Sequence, residues 1–132
     1  MQPFVIKYHR PGAAASPSAF FILSRGRNTG RPAFTSNPNC FVFTCAPQDV
    51  DRYYWLVYAL WAGRAFEPLL CGSVIEFIHI GELRMAIANG SRNMGRIDQT
   101  LGAFRKLLSL EVKTKRQLEL IQIGRRSLVQ AL

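Results

Sequence analysis

The stretch FFILSRGRNTGRPAFTSNPNCFVFTC, residues 20–45, sets two apolar, aromatic runs on either side of a basic loop. Phe20–Leu23 has the content of a buried strand, and Cys40–Cys45 reads as another, introduced by the turn Asn37-Pro38-Asn39. The two are expected to be neighbours in a sheet. Between them, SRGRNTGRP (residues 24–32) carries Arg25, Arg27 and Arg31 and no acid. Gly26 and Gly30 loosen its backbone, and Asn28 tolerates left-handed conformations. Backbone amides are therefore expected to point outward beside the guanidinium groups, facing an anion.

Working outward, FVIKYH (4–9) reads as a short strand, and PGAAASPSA (11–19) as a small-residue loop that no helix would survive. In APQDVDRYYWLVYALWAGRAF (46–66), Pro47 with Asp49 or Asp51 signals a helix start, and Gly63 its end. Tyr54, Leu56, Val57, Tyr58, Leu60 and Trp61 crowd nearly every face of that helix, so it is expected to be largely buried. CGSVIEFIHIGEL (71–83) alternates in the manner of a two-faced strand, and Glu82 to about Ala88 form a short helix before a polar turn. From about Ile97 to Ala131, Ile97, Leu101, Phe104, Leu108, Val112, Leu118, Ile121, Leu128 and Leu132 recur at three- and four-residue steps. That pattern predicts a long amphipathic helix, with a bend at Gly102 or Gly124, or a break near Ser109, as alternatives. The fold class is α+β: a small mixed or antiparallel sheet, a buried aromatic helix and a long C-terminal amphipathic helix. Residues 1–96 form the α/β core; residues 97–132 form the helix, within that domain or projecting from it.

At 132 residues one domain is the natural expectation, and 48% hydrophobic against 19% charged residues argues against disorder. No apolar run reaches the ~20 residues of a membrane span, and the N-terminus lacks the order of a signal peptide. A cytoplasmic protein is expected. The net charge of +9 is unevenly placed. Lys7, Arg10, Arg25, Arg27 and Arg31 are unopposed through residue 48, whereas residues 49–83 are acidic on balance. From Arg84 onward ten basic residues face Asp98, Glu111 and Glu119. Two basic regions flanking an acidic, aromatic middle attract polyanions, of which nucleic acid is the commonest.

Catalytic signatures are lacking. There is no GxSxG elbow, Walker loop, GxGxxG turn or HExxH pair, and GRNTG has neither the lysine nor the hydroxyl spacing of a phosphate loop. Cys40, Cys45 and Cys71 fit neither a disulfide framework nor a zinc site and read as reduced packing thiols. His9 and His79 have no companion ligand at a recognised spacing and read as histidines satisfied within the sheet. Glu76 is expected to face solvent or to pair with an arginine. The aromatics between Tyr53 and Phe66 read as core rather than as a base-stacking platform, because no positive charge is interleaved with them.

The order RGRNTGRP (25–32), NPNCFVF (37–43), YYWLVYALW (53–61), CGSVIEFIHIGEL (71–83) and a closing basic helix resembles an uncharacterised bacterial family of small proteins, across nearly the whole chain. That resemblance implies no activity. More distantly, GSVIEFIHIGEL (72–83) is similar to the glycine-led strand and helix start of the recognition domain in type I restriction specificity subunits. LSLEVKTKRQLELIQIGRRSLVQAL (108–132) is similar to the spacer helix of the same subunits. This likeness implies DNA reading and a helix that pairs with another in an antiparallel coiled coil. The proline-rich connection of those subunits is replaced here by NGSRNMGRI (89–97).

Two expectations follow. In one, the chain is a non-enzymatic nucleic-acid-binding protein, for DNA above all, that uses Arg25, Arg27, Asn28 and Arg31 together with Arg105, Lys106, Lys113, Lys115 and Arg116, and needs no cofactor or metal. In the other it is an interaction module that forms a homo-oligomer through its long helix.

Overall fold

The computed structural model describes residues 3–10, 12, 16–92 and 94–132. Two compact units are distinguished, Met1–Ile97 and Asp98–Leu132. Within the small-residue loop expected at 11–19, residues 11 and 13–15 lie outside the described residues, as does Asn93 of the polar turn.

The first unit is built on four strands: β1 (Phe4–Tyr8), β2 (Ala19–Leu23), β3 (Pro32–Ala33) and β4 (Cys40–Cys45). They form one antiparallel sheet in the order β1-β4-β2-β3. Alternation decides which side chains go inward. Phe4 and Ile6, Phe20 and Ile22, and Phe41 and Phe43 are buried. Phe43 stacks against both Phe20 and Phe4, at 4.6 and 5.0 Å between ring centres. The adjacency of β2 and β4 agrees with the sequence, in the register Phe20 opposite Phe43. The pair Pro32–Ala33 is too short to carry a periodic signal, yet it makes residues 24–31 a hairpin loop at the sheet edge.

Helix α1 (Val50–Ala62) follows a 3-10 turn at Pro47–Asp49, with Asp51 in its first turn where the helix dipole favours an acid. Gly63 ends it, donating its N–H to the Ala59 carbonyl at 2.9 Å. Only Tyr53, Leu56 and Val57 of this helix are buried. Tyr54, Trp55, Tyr58, Leu60 and Trp61 are half-exposed, so the expectation of a largely buried helix holds for one face alone. Helix α2 (Ile80–Gly90) buries Leu83 and Ile87 against the same core, and Arg84 Nη2 donates to the Ile6 carbonyl at 3.3 Å.

Residues 71–79 are not a strand. Gly72 has φ +96°, and a Cβ there would lie 2.3 Å from the Ile75 carbonyl oxygen, so the chain turns back on itself. Cys71 and Phe77 then exchange both backbone hydrogen bonds, at 2.8 and 3.0 Å. The apparent alternation is spent on this small turn, whose tip leaves Val74 and Ile75 exposed. The glycine-led strand that the restriction-subunit likeness implied is absent with it. Glu76 is exposed, as one of its two expected environments requires, and so is His79, which lies outside the sheet. His9 Nδ1 is buried without a hydrogen-bond partner among the described residues, its ring set edge-on to Phe21. Neither histidine is satisfied within the sheet in the way its neighbours suggested.

Helix α3 (Met94–Gln130) runs unbroken for 37 residues, about 55 Å at 1.5 Å per residue. Neither Gly102 nor Gly124 interrupts it, and it does not divide near Ser109. Ile97, Leu101, Phe104 and Leu108 share a sector about 60° wide; farther along, Leu118, Leu120, Ile121 and Ile123 fan out well beyond it. The apolar stripe is therefore sharp at the start of the helix and diffuse toward its end. No helix among the described residues is long and apolar enough to cross a membrane.

Candidate nucleic-acid interface

The loop between β2 and β3 is rigid for reasons its composition hides. Leu23 and Arg31 close its neck: Leu23 N–H donates to the Arg31 carbonyl at 3.0 Å, and Gly30 N–H to the Leu23 carbonyl at 2.8 Å. Thr29, buried, donates its hydroxyl to the Gly26 carbonyl. Residues 76–78 run alongside: Gly26 N–H donates to the Glu76 carbonyl at 2.7 Å, and Ile78 N–H to the Ser24 carbonyl at 3.2 Å. Beneath lies Phe66, 2% exposed, its ring in the space where a side chain on Gly30 would begin. The amides of Gly26, Thr29, Gly30 and Arg31 are thus committed within the fold. At these four positions the expected outward-facing amides are not available, and the loop presents side chains to solvent instead.

Those side chains are Arg25, Arg27, Asn28 and Arg31, all exposed. No carboxylate pairs with the three arginines among the described residues. Arg31 lies over Trp61, its guanidinium carbon 5.3 Å from the ring centre, a cation–π contact that orients the group while leaving its donors available. Beyond Arg31, aromatic rings continue along one side of α1. Tyr58 meets Trp61 edge-on at 5.7 Å, Tyr54 lies 6.3 Å from Tyr58, and Phe34 stacks on Tyr54 at 4.3 Å with planes 14° apart. Burial pushes the Tyr54 phenol above its ordinary pKa, with Tyr58 adding to the shift and Arg31 opposing it. A cleft of about 320 Å³ opens here, lined among others by Arg31, Phe34, Asn37 and Tyr54.

Reading the sequence missed Phe34 and assigned the α1 rings wholly to the core. Their spacing at 54, 58 and 61 marks a single helical face, but the positive charge beside it comes from Arg31, thirty residues earlier. Only the hairpin brings the two together.

The helical cations are exposed along α3. At about 100° per residue, Arg105, Lys106, Lys113 and Arg116 fall within one sector of roughly 100°, while Lys115 stands apart. Lys115 pairs with Glu111 at 2.9 Å and Arg116 with Glu119 at 3.2 Å. Exposed pairs of this kind are worth only about 0.2–1 kcal/mol and open easily to a better anion.

The thiols of Cys40 and Cys45 are buried. Burial, with Asp49 close by, pushes Cys45 up to about 11, and burial also raises Cys40, against a lowering hydrogen bond to Asn37. At pH 8 a thiol near 11 is about one part in a thousand thiolate, the opposite of an activated nucleophile. Iodoacetamide at that pH is expected to leave Cys45 of the folded chain unlabelled over a time in which the urea-unfolded chain labels completely. Rapid labelling of Cys45 by peptide mass mapping would contradict its burial.

Fold and interface together define a small α+β protein with an antiparallel sheet, a basic edge loop and a long closing helix. The chain belongs to a family of unknown function (DUF6943), whose model matches residues 6–131. No curated protein and no solved structure matches it.

Proposed function

We propose that this chain is a non-enzymatic nucleic-acid-binding protein, for DNA above all, and that Arg25, Arg27, Asn28 and Arg31 make its principal contacts. Arg105, Lys106, Lys113, Lys115 and Arg116 of α3 supply a second set of cations. One observation carries this reading: three exposed guanidinium groups without carboxylate partners among the described residues, presented by a hairpin fixed from within. Such groups hold phosphates and set the register of a polymer. Titration of labelled DNA between about 50 and 200 mM salt tests this reading. The logarithm of the association constant is expected to fall steeply and linearly with the logarithm of salt concentration. Salt-independent binding, or none, would reject the proposal.

A second reading, that α3 is a self-association element, is favoured by its exposed apolar residues. Leu107, Ile121 and Leu128 are exposed and separated by multiples of seven, the step that keeps residues on one side of a coiled-coil helix. In this reading the solution mass exceeds the 14.9 kDa of one chain, and Ile121→Lys with Leu128→Lys returns it to that value. A monomer at micromolar concentration in sedimentation equilibrium would exclude it.

A further inference from the structure

Resting on the nucleic-acid reading above, we propose that the β3 edge is a seat for an unpaired base, so that the chain takes single-stranded nucleic acid in preference to duplex. Phe34, the residue that follows β3, is 59% exposed although it is a large apolar ring. One of its faces lies flat on Tyr54. The other is open, so the ring is already held in a stacking orientation and offers a free π-face. The cleft beside it is lined by Arg31, Thr35, Ser36 and Asn37 as well as by Phe34 and Tyr54. At about 320 Å³ it falls at the small end of ligand pockets, the range that suits a single flat heterocycle.

Charge selects the occupant. A ring docked on Phe34 has Arg31 beside it, and Arg25 and Arg27 lie on the same hairpin. The ligand must therefore carry a stackable plane and repeated negative charge on one backbone, which is the chemistry of a polynucleotide. Duplex fails half of this requirement. Its bases are stacked on one another with their faces inaccessible, and it can offer the loop phosphates only. An unpaired strand offers both, with stacking insensitive to which base is presented.

The full chain is titrated at one salt concentration with fluorescein-labelled oligo(dT), oligo(U) and a mixed-sequence duplex of equal length. At least one single strand is expected to bind about tenfold tighter than the duplex, a modest value for one stacked base. Phe34→Ala is expected to remove that advantage and to leave duplex affinity and the salt slope unchanged. Phe34→Trp, which keeps a flat ring, is expected to restore it. An oligo(dT) bearing abasic sites is expected to bind wild type as weakly as intact oligo(dT) binds Phe34→Ala. Equal wild-type affinity for single strands and duplex overturns the base seat, as does a Phe34→Ala variant that weakens both alike or neither, and in those cases salt-dependent binding through the loop survives. Absence of binding to every polymer overturns the nucleic-acid reading itself and this inference with it.

Discussion

Replacing Arg25, Arg27 and Arg31 together by alanine is expected to lower affinity for DNA on the order of a hundredfold at low salt, if each charged contact contributes about 1 kcal/mol. The salt slope is expected to flatten by about two to three units, since every phosphate left without its arginine keeps about 0.7 to 0.9 of a counterion that binding would otherwise release. Both effects come from the binding surface, because none of the three side chains has a carboxylate partner among the described residues. Arg31 alone has an aromatic contact, over Trp61, worth about 0.5–1 kcal/mol at an exposed site. The triple variant should therefore melt close to wild type, and circular dichroism provides that control. Removing Lys115 and Arg116 instead should flatten the slope less, because Glu111 and Glu119 already compete for those cations. Unchanged affinity in the triple arginine variant would reject the loop as the interface.

The second large effect concerns what holds the loop. Gly26 and Gly30 both have φ in the left-handed region, at +96° and +94°, so alanine at either position strains the backbone by about 1–2 kcal/mol. Space separates them. A Cβ on Gly26 meets nothing within 4 Å, whereas one on Gly30 lies 2.5 Å from Cδ2 of Phe66 and 3.0 Å from Cε2. Phe66 is buried and its ring has nowhere open to move, so overpacking adds a further ~1–3 kcal/mol. Gly30→Ala should cost about 2–5 kcal/mol in urea unfolding, the sum of these strain and packing costs, and Gly26→Ala, with strain alone, about 1–2 kcal/mol. Equal losses would mean that Phe66 does not underpin the loop.

Much of the framework is legible in the sequence because its signals are local. The alternation in Phe41, Phe43 and Cys45 and the punctuation by Pro47, Asp49 and Gly63 each fix an element within a few residues. The remainder depends on distant partners. Two residues cannot announce β3, whose existence depends on pairing with Phe21 and Ile22. The alternation of 74–80 is indistinguishable from a strand until the turn at Gly72 and the bond between Cys71 and Phe77 are formed. The α1 rings look like core because the sequence shows them beside acids; folding sets them beside Arg31 and Phe34. In α3 the reverse holds. Gly102 and Gly124 advertise weakness, but each interior glycine costs only about 1 kcal/mol against alanine, too little to break a helix of 37 residues.

Chemical-shift mapping with ¹⁵N-labelled protein observes the proposed contact residue by residue. On addition of a short DNA oligonucleotide, amide shifts and line broadening are expected to concentrate at residues 24–37, with the Trp61 indole N–H moving in step. Perturbations confined to residues 98–132, leaving Arg25, Arg27 and Arg31 unmoved at saturating oligonucleotide, would contradict a loop-borne interface.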